Sequence, residues 1–289
     1  MPWLRLELLC SYKDSHLIEE ILFNNGANSI ELTDARNNPI YEPTPGKMEI
    51  WQDLKLIATF PDNISKKFLK KILSQTYYSQ LKFSYFDNSN WVNDFQQNFQ
   101  AKKFGENLWV VPSWYTKSLP SGSLRVKLDP GMSFGTGNHE TTAMCLEYLE
   151  KNRPLSKVVI DYGCGSGILA IASAMLGAKK VYAIDYDPIA IKSSMENAKK
   201  NSVENLIEIS TEENLIIEDA NLIIANIFLT SLIELKPIFD KFMHKDTRLV
   251  LSGILINQID RIFNSYNEGF NHKVVSTKND WCLIELIKS

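Results

Sequence analysis

The chain has 289 residues, 44% of them hydrophobic and 22% charged, a length that suits two domains, or one large α/β domain, with a full core. Its 31 basic against 34 acidic residues leave a net charge of −3, which excludes a general basic field for a nucleic-acid backbone. Cys10, Cys145, Cys164 and Cys282 form no C-x-x-C pair, the four histidines show no metal-ligand spacing, and Met1 leads straight into an alternating WLRLELL, so a soluble, unexported, reduced cytoplasmic protein without structural zinc or membrane span is expected.

In chain order, strands are predicted near 3–10, 29–34, 54–60 and 81–86, with helices near 15–25 and 65–76. The order β-α-β-β-α-β predicts an α+β ferredoxin-like domain over residues 1–87, two helices covering one sheet face and the other face left for a partner. The third strand, Leu54 to Phe60, lacks the basic, aromatic-laced pattern of an RNA-recognition sheet, and ten basic against eleven acidic residues leave this segment at −1. A protein partner is therefore expected. Residues 88–105 read as a linker, with Asp87 to Asn90 as a loop and Trp91 to Gln100 as a short helix carrying Trp91, Phe95 and Phe99 at spacing four.

Residues 106–289 are expected to form the second domain. Leu108 to Pro112 and Leu124 to Leu128 read as paired strands around a loop containing Pro120, Ser121 and Gly122, lidding the domain's edge. Then come helix 140–151, strand 157–161, helix 167–176, strand 180–185, helix 188–200, strand 206–210 and strand 221–226. A helix within 229–243, kinked or broken by Pro237, leads to strand 247–252, helix 254–265 and a closing hairpin at 272–277 and 281–287. Strands alternating with helices make a parallel sheet, and an antiparallel hairpin at its edge makes seven strands in a mixed sheet.

The most informative stretch is VVIDYGCGSGILAIASAMLGAKKVYAIDYDP at 158–188, a strand, glycine turn, helix and second strand ending in an acid. Gly163, Gly165 and Gly167 give G-x-G-x-G, and Ile168 stands where a dinucleotide pyrophosphate loop needs a third small residue. An adenosine without pyrophosphate fits better than NAD. Asp185 stands where a carboxylate accepts from both ribose hydroxyls.

Three further segments converge at the carboxyl ends of such strands. The first, DPGMSFGTGNHETT from Asp129 to Thr142, offers Phe134 for an apolar part of a ligand and the Thr142 hydroxyl for a polar edge, with a helix-cap role for Thr141 or Thr142 as the equal alternative. His139 invites a base reading, but a loop histidine beside Glu140 is more often a structural hydrogen-bonder. Asp161 can reach an ammonium directly or through water, or else bond the loop amides. Cys164 lacks an activating partner in the loop and is expected for its size. The second segment ends a buried strand on Asn226, whose amide can accept from a substrate amine; the third, Ser210-Thr211-Glu212, lies near an adenine.

DYGCGSG at 161–167 resembles the first motif of the class I S-adenosylmethionine-dependent methyltransferases, a Rossmann-like α/β fold. With FQQNFQAKKFGENLWVVPSW (95–114), LDPGMSFGTGNHETT, AIDYDPIAI, ANI, LSGIL and DWCLIEL added, residues 91–289 resemble the ribosomal protein L-eleven methyltransferase family; the first 87 match it by topology and position. The resemblance implies that the front domain captures the large-subunit ribosomal protein L-eleven and the rear domain holds S-adenosyl-L-methionine. It also implies that lysine ε-amines and the N-terminal α-amine are methylated, by in-line displacement at a neutral amine. Its cofactor contacts carry over to Thr142, Gly163, Asp185 and Asn226, to which the reading of the residues adds Phe134, Asp161 and Gly165, while Asn226 would also orient the amine. Phe228 departs from the family, where leucine is usual at this position. An RNA nucleobase methyltransferase and a non-catalytic cofactor sensor are the rival readings; the non-basic front domain opposes the first, and the loop before Thr142 together with Asn226 opposes the second.

Overall fold

A computed structural model of the protein describes residues 2–36, 51–87, 100–129, 139–211, 217 and 220–289. The chain divides into two compact units, Met1–Asn98 and Phe99–Ser289.

In the first unit the elements are β1 (Pro2–Ser11), α1 (Tyr12–Asn24), β2 (Ser29–Asp34), β3 (Asp53–Pro61), α2 (Lys66–Ile72) and β4 (Ser79–Asp87). The strands form one antiparallel sheet in the order β2-β3-β1-β4, the ferredoxin-like arrangement expected. Strict alternation in β1 buries Leu4, Leu6, Leu8 and Cys10, and in β3 Leu54, Leu56, Ala58 and Phe60. These pack with Ile18 and Leu22 of α1 and Leu69 of α2. Ser11 caps α1 by accepting from the Asp14 amide at 3.3 Å. On the opposite sheet face Glu7 pairs with Arg5 and Lys55, each at 2.8 Å. The Lys55 hydrogen bond holds the Glu7 carboxyl below its ordinary range against the opposing cost of burial, with the Arg5 charge assisting. Helix α2 ends at Ile72, earlier than expected, because Leu73 turns into the core as its C-cap.

The second unit opens with a three-stranded sheet of β5 (Lys102–Phe104), β6 (Leu108–Val111) and β7 (Leu124–Lys127), antiparallel then parallel. Within the stretch expected as a linker over 88–105, Phe104 is buried and Lys102–Phe104 pairs with β6. The helix expected from Trp91 to Gln100 lies, up to residue 99, outside the described residues. The chain continues with α3 (Glu140–Lys151), β8 (Val158–Tyr162), α4 (Ile168–Met175), β9 (Lys180–Ile184), α5 (Pro188–Lys200), β10 (Ile207–Ser210), β11 (Leu222–Asn226), α6 (Leu229–Glu234) and α7 (Lys236–Phe242). It closes with β12 (Arg248–Leu255), a 3-10 turn, α8 (Ile259–Ser265), β13 (Phe270–Lys278) and β14 (Trp281–Lys288).

The large sheet runs β10-β9-β8-β11-β12-β14-β13; the first five strands are parallel and β14 is antiparallel to both neighbours. This is the seven-stranded mixed sheet of the class I fold. Strand order reverses between β8 and β11, which opens a crevice at their carboxyl ends. Pro237 breaks the helix expected over 229–243 into α6 and α7 at Leu235, because proline fits only the first turn of the second piece. The helix expected from 254 begins only at Ile259, since Ile254 and Leu255 stay paired with Cys282 and Trp281. Asn201 clamps the small sheet to α5, its side chain accepting from the Lys127 amide at 2.7 Å and donating to the Lys127 carbonyl at 2.8 Å. The four cysteines are free and buried. Among the described residues no helix is long and apolar enough to cross a membrane and no His/Cys/Asp/Glu cluster could hold a metal.

Candidate cofactor and amine site

Tyr162, the last residue of β8, lies opposite Ile184 of β9 and Ala225 of β11. The next residues along these three strands are Gly163, Asp185 and Asn226, which therefore share one level at the crevice. The turn after β8 holds Gly163, Gly165 and Gly167 at φ +74°, +52° and +77°, where a side chain would be strained. It is fastened from both sides. The Gly163 and Cys164 amides donate to the Ile184 carbonyl at 2.8 and 3.0 Å. From beneath, the Ser194 hydroxyl donates to the Gly165 carbonyl at 2.8 Å and the Asn197 amide to the Ser166 carbonyl at 2.9 Å. Sequence reasoning missed Ser194 and Asn197; the signal was a polar pair three residues apart on the inward face of α5.

Asp185 accepts from the Gly165 amide through Oδ2 at 2.9 Å and from the Asp187 amide through Oδ1 at 3.0 Å. Each oxygen keeps a second acceptor pair, so the residues fit an adenosine whose two ribose hydroxyls complete the set. Tyr186, next in the chain, is 93% exposed. Ser210 sits beside them, its carbonyl accepting from the Asp185 amide at 3.3 Å. Phe134 and Glu212 lie outside the described residues.

Asp161 turns away from the crevice. Its carboxylate accepts from the Ala170 amide in the first turn of α4 at 2.8 Å and is 1% exposed, so direct reach to a ligand ammonium gives way to the amide-bonding alternative. Burial pushes its pKa up to about 7, against the Ala170 hydrogen bond and with the Asp185 charge adding to the rise. Cys164 is buried with Sγ 3.4 Å from the Ser194 hydroxyl, and burial pushes its thiol far up. No nucleophile forms there.

On the other side of the crevice the cap of α3 is His139, not Thr141 or Thr142. Its Nδ1 accepts from the Thr141 amide at 3.4 Å and meets the Thr141 hydroxyl at 2.8 Å. The ring stands edge-on to Trp281 at 5.1 Å. These contacts give it a structural role. With Thr141 held this way, Thr142 is free to face the sheet, where its Oγ1 accepts from the Asn226 side-chain amide at 3.1 Å. Asn226 Oδ1 is left as the acceptor. Ile227 is wedged between two glycines: a Cβ on Gly163 would come 2.4 Å from its Cγ2, and one on Gly253 2.4 Å from its carbonyl oxygen. Thr142, Gly163, Gly165, Asp185 and Asn226 are thus gathered along one crevice.

The profile of the ribosomal protein L11 methyltransferase family matches residues 2–289. The chain is 36% identical over 293 residues to the ribosomal protein L11 methyltransferase of Vibrio campbellii, covering 98% of both chains. It is 37% identical over 290 residues to that of Histophilus somni, covering 98% of this chain and 97% of the other. The crystal structure of a ribosomal protein L11 methylase from Lactobacillus delbrueckii subsp. bulgaricus superposes with a TM-score of 0.58 at 28% identity, over 66% of this chain and 100% of that one. The glycine turn with Asp185 bonded to it, the class I sheet and these full-length matches agree: the chain belongs to the ribosomal protein L11 methyltransferase family and is an S-adenosylmethionine-dependent methyltransferase.

Proposed function

We propose that this enzyme methylates ribosomal protein L11, on lysine ε-amines and on the N-terminal α-amine, with residues 1–87 capturing the protein, residues 88–105 connecting and residues 106–289 carrying the chemistry in the cytoplasm. The observation that carries this reading is the Thr142–Asn226 pair facing the glycine turn across the strand reversal.

Bound S-adenosylmethionine supplies a methyl group activated by a sulfonium. The turn through Gly163 and Gly165 borders the ligand, Asp185 takes the ribose hydroxyls, and the exposed Tyr186 ring offers a face for adenine. Thr142 is assigned to the same pocket and Phe134 to an apolar part of the ligand, while Asp161 supports the turn from behind through the Ala170 amide. A free lysine has a pKa of ~10.4 and must lose its proton before its nitrogen can attack in line. Desolvation at the crevice mouth favours the neutral amine, and Asn226 Oδ1, held by Thr142, accepts an N–H so that the lone pair points inward. Proton loss to water suffices, and no dedicated base is required.

The test is to incubate the enzyme with labelled cofactor and either purified ribosomal protein L11 or ribosomal RNA. Label in the protein, mapped by mass spectrometry to amines, is expected. Label in the RNA alone would overturn the reading.

A further inference from the structure

We propose that the solvent face of α2 is a docking surface for an RNA strand, its lysines meeting backbone phosphates while the Phe68 ring takes a base. The surface lies on the helix side of the front sheet. Only the choice of RNA leans on the ribosomal-protein reading above, because a ribosomal protein has RNA for a neighbour.

The first observation is a separation of charge. Residues 61–75 carry Lys66, Lys67, Lys70 and Lys71 against Asp62 alone, a charge of +3, whereas the rest of residues 1–87 holds six basic and ten acidic groups. With 3.6 residues per turn the four lysines fall within ~140° of one helix face, and Leu69 buries the other in the core. Lys67, Lys70 and Lys71 are exposed. Among the described residues none of the four ammonium groups pairs with a carboxylate. Lys66 and Lys70, like Lys67 and Lys71, stand ~6 Å apart along the helix axis, close to the step between phosphates of a nucleic-acid strand.

The second observation is that local stability does not account for this placement. Lys70 and Lys71 in the last turn complement the helix dipole, but Lys66 and Lys67 open the helix, its first turn holds no acid, and Ser65 makes no side-chain cap hydrogen bond. Both i,i+4 pairs are like charges, which repel. An uncapped, positively charged start and two repulsive columns on seven residues are departures of the kind that mark function, and a bound polyanion would relieve them.

The rings decide which polyanion. Phe68 is 42% exposed, and Tyr85 of β4 is 54% exposed with the Lys66 ammonium 4.4 Å from its ring centroid. Aromatic faces among lysines suit unpaired bases stacked beside tracked phosphates. An acidic peptide brings no base to stack, and its carboxylates are matched better by arginine forks than by lysine point charges. The pattern sits on α2, outside the sheet position that Leu54 to Phe60 leaves without basic or aromatic lacing.

The test measures fluorescence anisotropy of a labelled oligouridylate of about twelve nucleotides with the full-length enzyme, without cofactor or ribosomal protein. Each phosphate held on a single strand contributes about −0.7 to the slope of log affinity against log salt, so four contacts are expected to cost about fiftyfold in affinity between about 50 and 200 mM salt. In the triple variant Lys67→Gln, Lys70→Gln, Lys71→Gln the cost is expected to shrink to about threefold, with much weaker binding at low salt; glutamine matches lysine in helix propensity, and the parent's thermal transition checks the fold. Arginine at the same three positions should keep both affinity and slope. Phe68→Ala should lower affinity at every salt concentration and leave the slope unchanged. Salt-insensitive binding by the parent enzyme, or parental binding by the triple glutamine variant, overturns the inference. Polyglutamate of equal length that competes as well as RNA would make the partner an acidic protein, and parental binding by F68A would leave no place for a base; either also overturns it. RNA binding through these lysines in an enzyme that leaves ribosomal protein L11 unlabelled supports the surface and refutes only the ribosomal-protein reading.

Discussion

Asn226 donates to Thr142 at 3.1 Å across 84 residues of sequence. The bond ties the end of β11 to the first turn of α3, and a neighbouring stitch, the Ser252 hydroxyl donating to the Thr141 carbonyl at 3.2 Å, ties β12 to the same turn. An amide so held presents its oxygen in one direction only. Thr142→Val should leave the fold intact and free that amide to rotate. A double-mutant cycle of Thr142→Val with Asn226→Ala is expected to give a coupling of about 1 kcal/mol in kcat/KM. Asn226→Ala alone should lower kcat more than cofactor affinity. Equal losses in both quantities would make Asn226 a cofactor ligand only.

Asp185 serves the Gly165 amide that shapes the turn, the Asp187 amide and the proposed ribose diol. Asp185→Ala should weaken cofactor binding by ~1.5–3 kcal/mol, the scale of hydrogen bonds to a charged group. Calorimetry on the purified variant checks this, and unchanged affinity sinks the ribose assignment.

Much of this site was legible because strand-end residues are fixed by strand periodicity. Gly163, Asp185 and Asn226 each end or follow an apolar run, so locating the runs located them. Residues that support the site from helices were harder to read: Ser194 and Asn197 look like ordinary polar positions of α5 until the turn is seen resting on them. Asp161 was read with two outcomes, and only its burial, which depends on α4 closing over it, selects between them. Alternation in β1 and β3 made the front sheet readable, whereas the start of α8 was misjudged because the pairing of Ile254 and Leu255 with β14 is a tertiary effect.

The buried Asp161 is shifted in the direction opposite to Glu7, Asp129, Glu140 and Glu150. Its folded pKa, about 7, lies above the ordinary 3.8, so between those values the folded state binds more protons than the unfolded chain. Stability from this group is present at low pH and declines as pH rises from about 4 to 7. Asp129, Glu140 and Glu150 are lowered; their contributions are present above the ordinary carboxylate range and fade as pH falls below it. Stability is therefore expected to peak on the acid side of neutrality. Asp161→Asn should flatten the decline between pH 5 and 7 while the acid limb stays. Urea unfolding across pH decides it: a parent curve that keeps rising through this window would contradict the buried, partly protonated carboxyl.

The last prediction concerns division of labour. Deleting residues 1–87 should leave a domain that folds and binds cofactor but methylates ribosomal protein L11 poorly. The unit from Phe99 onward contains all seven strands of the large sheet and its own core, built from residues such as Ile160, Ile223, Leu251 and Ile284. The front unit closes a separate core around Leu6, Leu56 and Ile18, and none of the proposed cofactor contacts lies in it. Its helix-free sheet face carries the Arg5, Glu7 and Lys55 network, a mixed-charge surface better suited to a protein than to a nucleic-acid backbone. Capture there would raise the local concentration of target amines at the crevice, an effect that disappears when substrate is abundant. The truncated enzyme should accordingly bind cofactor within about twofold of the full chain, lose on the order of tenfold or more in kcat/KM, and recover part of its rate at high substrate. Full activity of the truncated enzyme at low substrate concentration would refute the capture role, and failure to bind cofactor would refute the independence of the rear unit.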